Sequence, residues 1–321
     1  MSIKIVVLDG YCLNPGDNPW DEIASQGDLT VYNRTKPDEV FTRSYDADIL
    51  LTNKTPINRD VINKLTKLRY IGVLATGYNI VDIKAARKKQ IPVSNIPVYG
   101  TNSVAQFVFA LILELCHNVG IHNSSVRAGE WTECPDFSFW KTGLIELFDK
   151  SIGIIGFGRI GRKVGEIANS FGMKVLAVDI IKTSSPNYKP FKWVSLDKAF
   201  NEADIVTLNC ALTSTNEKFV NRSLLSSMKK SAFLINASRG GLVNEMDLAE
   251  ALNSGEIAGA AVDVVSTEPI KEDNPLLKAK NCIITPHIAW ASLESRRRLM
   301  HTAADNLKAF LSGNPKNIRN Y

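Results

Sequence analysis

Short runs of apolar, β-branched residues alternate along this chain with longer stretches of helical composition. In the first third, "IKIVVL" (3–8), "ILLT" (49–52) and "YIGVL" (70–74) predict buried strands. The stretches 20–27, 58–68 and 81–90 between and after them predict helices. The strand runs are continuously apolar instead of alternating, which is the mark of a parallel sheet covered on both faces.

A second run of the same kind begins after "FDKS" (148–151), with strands predicted over 152–156, 174–179, 204–209, 232–238, 259–264 and 282–286. Six strands with helical patterns between most of them make a complete doubly wound sheet. A long helical stretch from Asn102 to about Arg127 links the two runs, and a last helix is expected over about 292–311. That helix follows the second sheet, so it is expected to pack back on the first domain. The expected domains are therefore residues 1–100 plus 291–321 and residues 101–290, with a ligand cleft between them.

At 321 residues the chain can fill two cores of ordinary size. The net charge of +5 is mild, and the basic clusters at 87–89, 229–230 and 296–298 are short and lie on predicted helices. They read as solvated faces, with no contiguous footprint for nucleic acid. The five cysteines are scattered and lack CxxC spacing, which argues against a disulfide framework or a zinc site. His117 and His122 are five apart, off a shared helical face, so no metal is expected there. The N-terminus carries no leader pattern, and the longest apolar run, 107–113, is far too short for a bilayer. A reducing, cytoplasmic setting without membrane attachment is the expectation.

Gly156, Gly158 and Gly161 stand in GxGxxG spacing directly after a predicted strand and at the start of a predicted helix. Asp179 ends the next strand, 23 residues past Gly156. In that setting the spacing reads as a dinucleotide site: a tight turn, a close backbone approach to a pyrophosphate, and a helix N-terminus facing it. Asp179 can accept both ribose hydroxyls and would repel a 2′-phosphate. Ile180 and Ile181 follow it where Arg or Ser would suit NADP, so NAD(H) is expected over NADP.

Three polar residues fall at the C-terminal ends of late strands, where open α/β sheets place their ligands. They are Arg239 in "NASRGGLVNE", Glu268 in "DVVSTEP" and His287 in "PHIAW". Together with "ATGYNIVD" (75–82), "TNSVAQ" (101–106) and "GFGRIGR" (156–162), these segments resemble, in order and over essentially the full length, the D-2-hydroxyacid dehydrogenases. "LATGYNIVD" and "HIAWAS" look most like the glycerate dehydrogenase (hydroxypyruvate reductase) branch.

The resemblance implies a flavodoxin-like substrate domain and a Rossmann NAD-binding domain. It makes His287 the proton donor to a 2-oxo acid, Glu268 the residue that holds its ring, and Arg239 the grip on the substrate carboxylate. The amides of Ala75, Thr76 and Gly77 would take the rest of that carboxylate, with Asn53 and Trp290 as pocket walls. Bland readings of the last two are a turn cap ahead of Pro56 and packing between domains. By the same resemblance, Arg159 and Ile160 would cap the pyrophosphate, Cys210 and Thr213 flank the adenosine, and Ala237 and Arg239 lie beside the nicotinamide ribose. Thr101, Asp263 and His287 would complete the nicotinamide pocket.

Asn209 and Ala211 replace the His and Pro more usual in such relatives, which is expected to loosen the adenine-side loop; Asn244 stands for a common Asp. The expected activity is interconversion of D-glycerate and hydroxypyruvate, with glyoxylate accepted. D-Lactate or 3-phosphoglycerate dehydrogenase is the alternative, the latter weaker because no regulatory extension follows the last helix. An NAD-sensing corepressor is a third reading, disfavoured by the lack of a disordered tail. Resemblance also implies a homodimer through the cofactor domain, using about 102–148 with its apolar "FVFALILELC".

Overall fold

A computed structural model describes residues 2–182 and 184–320. The chain divides into two compact units, one running to Gly100 and resuming at Trp290, the other spanning Thr101–Ala289.

In the first unit, β1 (Lys4–Val7), β2 (Asp28–Val31), β3 (Ile49–Thr52), β4 (Tyr70–Val73) and β5 (Val93–Ser94) form a parallel sheet in the order β2-β1-β3-β4-β5. β3 and β4 are buried at every position, as their unbroken apolar runs require. One face packs Val6, Leu50, Ile71 and Val73 against the helices Arg59–Lys64 and Ile83–Lys88. The other packs Ile5, Val7, Ile49 and Leu51 against Leu299, Met300, Ala303 and Leu307 of the helix Leu293–Leu311. β2 and β5 were not expected from the sequence. β2 is an edge strand that alternates exposed and half-buried residues, and β5 has only two residues, so neither carries an apolar run.

Among the described residues the second unit holds seven parallel strands: β6 (Ser151–Ile155), β7 (Lys174–Val178), β8 (Phe191–Trp193), β9 (Ile205–Leu208), β10 (Phe233–Asn236), β11 (Gly259–Val262) and β12 (Cys282–Ile284). Their order is β12-β11-β10-β9-β6-β7-β8, so the topology reverses between β6 and β9. Short, half-solvated β8 is the strand the pattern missed. The helical stretch expected over 102–127 is two helices, Thr101–His117 and Val119–Arg127, bent by 54°. Asn118 makes the break, with φ of +47° in the left-handed region that Asn tolerates. The first of the pair is a core helix, with Ala105, Val108, Ile112 and Cys116 fully buried beneath β10 and β11. Among the described residues no single helix is long and apolar enough to cross a membrane.

Candidate active site

The turn after β6 is made by Gly156 at φ +92°, where a Cβ would lie 2.7 Å from Asn209 C and Cys210 N in the loop after β9. Only glycine lets these two loops meet at the reversal point of the sheet. Gly161, in the first turn of the helix Arg159–Ser170, is packed so closely that a Cβ would stand 2.0 Å from the Gly156 carbonyl oxygen. Gly158 is the N-cap of that helix and offers no side-chain cap. Among the described residues, a Cβ on Gly158 would meet no atom beyond its chain neighbours within 4 Å. Open space therefore fronts the start of the helix, where Arg159 and Ile160 sit and where first-turn amides lack intrahelical acceptors. That space and those donors fit a pyrophosphate.

Asp179 follows β7. Its Oδ2 accepts the Phe157 N–H at 2.7 Å and its Oδ1 accepts the Ile181 N–H at 3.2 Å. The glycine turn is thus tied to the acidic residue that follows β7. Ile180 and Ile181 are exposed and apolar, and offer a 2′-phosphate no cation. The loop after β9, which carries Asn209 and Ala211, has its own internal hydrogen bonds. Asn216 accepts the Thr213 N–H at 2.7 Å and donates to Ala211 O at 2.8 Å, closing the loop on itself. Burial raises the Cys210 thiol above its ordinary pKa, so it stays protonated, and its carbonyl accepts from Ser238 Oγ at 2.6 Å. Ala237 is next to that serine, and Thr101 opens the core helix.

His287 and Glu268 are brought together directly: Nδ1 of the ring lies 2.6 Å from Glu268 Oε2. Nδ1 therefore carries the proton given to the carboxylate, and Nε2 remains for other chemistry. His287 adopts φ of +56°, an uncommon conformation for a non-glycine residue that needs support from its surroundings. Asp263, 1% exposed, provides it. Its Oδ1 accepts from Thr285 Oγ1 at 2.6 Å and Ile288 N at 2.9 Å, and its Oδ2 from Ala289 N at 2.8 Å. Asp263, expected from resemblance to help complete the nicotinamide pocket, also braces the histidine turn.

Arg239 follows β10 in extended backbone, with Nη1 donating to the Ser238 carbonyl at 2.7 Å. Buried Asn236 shapes the turn, donating to Arg239 O at 2.9 Å and accepting from Ser238 N at 3.1 Å. The next residue, Gly240, lies against the loop that carries Glu268: a Cβ there would be 1.9 Å from Val265 C. The arginine turn and the glutamate loop thus share one backbone contact.

In the first unit the sheet order reverses between β1 and β3, and Asp9 spans that point. Its carboxylate accepts the N–H groups of Asn53 at 2.7 Å and of Lys54 and Thr55 at 2.6 Å. Asn53 is buried and donates through Nδ2 to Leu74 O at 2.6 Å, a strut between the ends of β3 and β4. The Ala75–Gly77 loop follows. Thr76 O accepts from Asn95 Nδ2 at 2.6 Å, Thr76 Oγ1 donates to Ile96 O at 2.9 Å, and Ala75 O accepts from Ile96 N at 3.0 Å. These contacts use the loop's carbonyls and hydroxyl and consume none of its three N–H donors. Trp290 packs edge-on against Tyr99 within the same unit, ring centroids 6.2 Å apart. Sequence reasoning passed over Asp9 and Asn236, though both are short polar residues at the end of an apolar strand, where such bracing is needed.

Two nucleotide-type sheets, a glycine turn with its acidic partner, and a carboxylate-held histidine at a strand end define a nicotinamide-dependent oxidoreductase. Residues 109–289 match the D-isomer specific 2-hydroxyacid dehydrogenase, NAD binding domain, and the chain belongs to that family. It is 53% identical, over 99% of its length and 100% of the relative's, to a hydroxypyruvate reductase from Blautia hydrogenotrophica. It is 36% identical to a glycerate dehydrogenase from Methylorubrum extorquens, with 99% of each chain covered. Among solved structures it resembles the Aquifex aeolicus D-lactate dehydrogenase complexed with NAD and lactic acid, at a TM-score of 0.82 and 25% identity, with 99% of each chain covered. The chain is an NAD-binding oxidoreductase of this family.

Proposed function

We propose that the protein reduces hydroxypyruvate to D-glycerate with NADH, and that it also accepts glyoxylate. The observation that carries this reading is the His287–Glu268 pair at 2.6 Å, which leaves Nε2 as the one ring position able to pass a proton. Bound NADH supplies the hydride. As the substrate carbonyl becomes an alkoxide, His287 protonates its oxygen, and Glu268 keeps the ring oriented while it does so. Arg239 grips the carboxylate through its planar fork, and the amides of Ala75, Thr76 and Gly77 take its other oxygen. Asn53 and Trp290 wall the pocket. The relatives named hydroxypyruvate reductase and glycerate dehydrogenase support the choice of acid.

The helix start at Gly158, Arg159, Ile160 and Gly161 would hold the pyrophosphate, and Asp179 the adenosine ribose, in preference to the phosphorylated ribose of NADP. Cys210 and Thr213 would flank the adenosine, Ala237 the nicotinamide ribose, and Thr101 and Asp263 the nicotinamide. We further propose a homodimer. Val119, Trp131, Phe137, Trp140 and Phe148 are more than half exposed on the segment 119–148, an apolar surface that a second copy would cover. Five free cysteines suit a reducing cytoplasm.

The substrate assignment is tested by following NADH oxidation with hydroxypyruvate, glyoxylate, pyruvate and phosphohydroxypyruvate side by side. The highest kcat/KM is expected for hydroxypyruvate. A lead for pyruvate or phosphohydroxypyruvate would move the assignment to another acid, and no turnover with any of them would overturn it. Light scattering that shows a monomer at micromolar concentration would remove the dimer.

A further inference from the structure

Glu245 opens the helix Glu245–Ser254, whose N-cap is Asn244. An acidic residue in a first helical turn needs no other purpose than to face the helix dipole. This one does more. Its Oε1 accepts the Ser266 N–H at 2.6 Å, and its Oε2 accepts the Ser266 hydroxyl at 2.7 Å and the Asn274 side-chain amide at 3.0 Å. Ser266 and Asn274 both lie in the loop that carries Glu268, between β11 and the 3-10 turn Pro275–Lys278, one on either side of that residue. One carboxylate therefore closes that loop on a helix of the core.

The same loop is fixed from a second side. Gly240 is pressed on it so tightly that a Cβ would lie 1.9 Å from Val265 C, 2.1 Å from Val265 O and 2.4 Å from Ser266 N. Inside the loop, Glu268 Oε1 accepts the Val265 N–H at 3.4 Å while Oε2 holds His287. The path from helix to imidazole is short: Glu245, Ser266, Glu268, His287. Each link is a hydrogen bond or two residues of backbone. Asn274 also caps the following 3-10 turn, with Oδ1 accepting the Leu276 N–H at 3.0 Å.

We propose that Glu245 is a positioning residue for proton transfer: by pinning the loop at Ser266 and Asn274, on either side of Glu268, it sets where Glu268 stands, and so where His287 aims Nε2. The proposal rests on the reading of His287 as proton donor. A displacement of about 1 Å in such a support costs on the order of a hundredfold in rate. Glu245 touches neither substrate nor cofactor in this scheme, and NADH affinity does not depend on it.

The test is a double-mutant cycle on the full chain, with kcat for hydroxypyruvate and NADH affinity measured for each variant. Glu245→Ala in the wild-type background is expected to lower kcat by about tenfold to a hundredfold, with the NADH dissociation constant changed by less than about twofold. Glu245→Gln keeps a carbonyl oxygen for the Ser266 N–H and is expected to recover most of that loss. In a His287→Asn background Glu245→Ala should cost almost nothing more, because residues that act as a unit are not additive. An equal loss in both backgrounds would show a merely structural role and overturn the proposal, as would wild-type kcat for Glu245→Ala. Should Glu245→Ala not fold, Ser266→Ala, which removes one of the three bonds, takes its place in the cycle with a smaller expected loss. Near-normal turnover by His287→Asn alone would instead sink the proton-donor reading beneath it, and is a separate result.

Discussion

Replacing Gly158 with Ala asks the cofactor site a question the fold cannot answer for it. The new methyl group would meet none of the described residues beyond its chain neighbours within 4 Å, and the backbone there has φ of −77°, an angle Ala adopts without strain. The fold should therefore tolerate the change, or gain about 0.4–1 kcal/mol from the lost freedom of the unfolded chain. On the proposed placement, what the methyl would meet is the pyrophosphate. Forcing a methylene-sized group into a packed contact costs about 1–3 kcal/mol, which is about 5-fold to 150-fold in affinity. Titration of NADH by energy transfer from tryptophan is expected to show that weakening, while the melting temperature of the cofactor-free protein stays level or rises. Gly161→Ala provides the contrast, since its Cβ would stand 2.0 Å from the Gly156 carbonyl oxygen and the fold itself must give. Unchanged NADH affinity in Gly158→Ala would refute the placement of the pyrophosphate against this backbone.

Asp179→Ala is expected to weaken NADH and narrow the preference over NADPH. It also leaves the Phe157 N–H without its carboxylate, so a lower melting temperature should accompany the change. Unaltered kcat/KM ratios for the two cofactors would count against the ribose role. A separate prediction concerns pH. The carboxylate of Glu22, bonded to His301 Nδ1 at 2.8 Å, and the charge of Asp305 raise His301 above its ordinary value. A raised folded-state pKa stabilises the protein below about pH 6.5, the unfolded value, and that contribution is lost as pH climbs through the folded one. His301→Gln should thus lower the melting temperature slightly at pH 6 and not at pH 9, and equal effects at both would dismiss the ion pair.

The central strands were legible because burial on both faces leaves an unbroken apolar signature: each of the six runs expected in the second unit coincides with a strand to within a few residues. β2, β5 and β8 lie at or beside sheet edges, where half the surface is wet and length is short, so no apolar run marks them. Asn118 hid its helix break because a left-handed Asn looks like any polar helical residue. At the site, the glycine spacing and the three polar residues after β10, β11 and β12 could be read directly, since chemistry fixes their type and strand ends fix their place. The supports could not. Asp9, Asp263 and Glu245 act on backbone N–H groups 21 to 46 residues away, and no local pattern records a partner that only folding brings near.

The claim on which the account turns is that His287 gives the proton. Hydroxypyruvate-dependent NADH oxidation by His287→Asn, with NADH binding titrated in the same preparation, tests it most directly. Turnover is expected to fall by about 10²–10⁴-fold, the usual cost of a lost general acid, while NADH affinity stays at its wild-type value. Turnover close to wild type would contradict the account and return His287 to the role of a packing residue at the end of a strand.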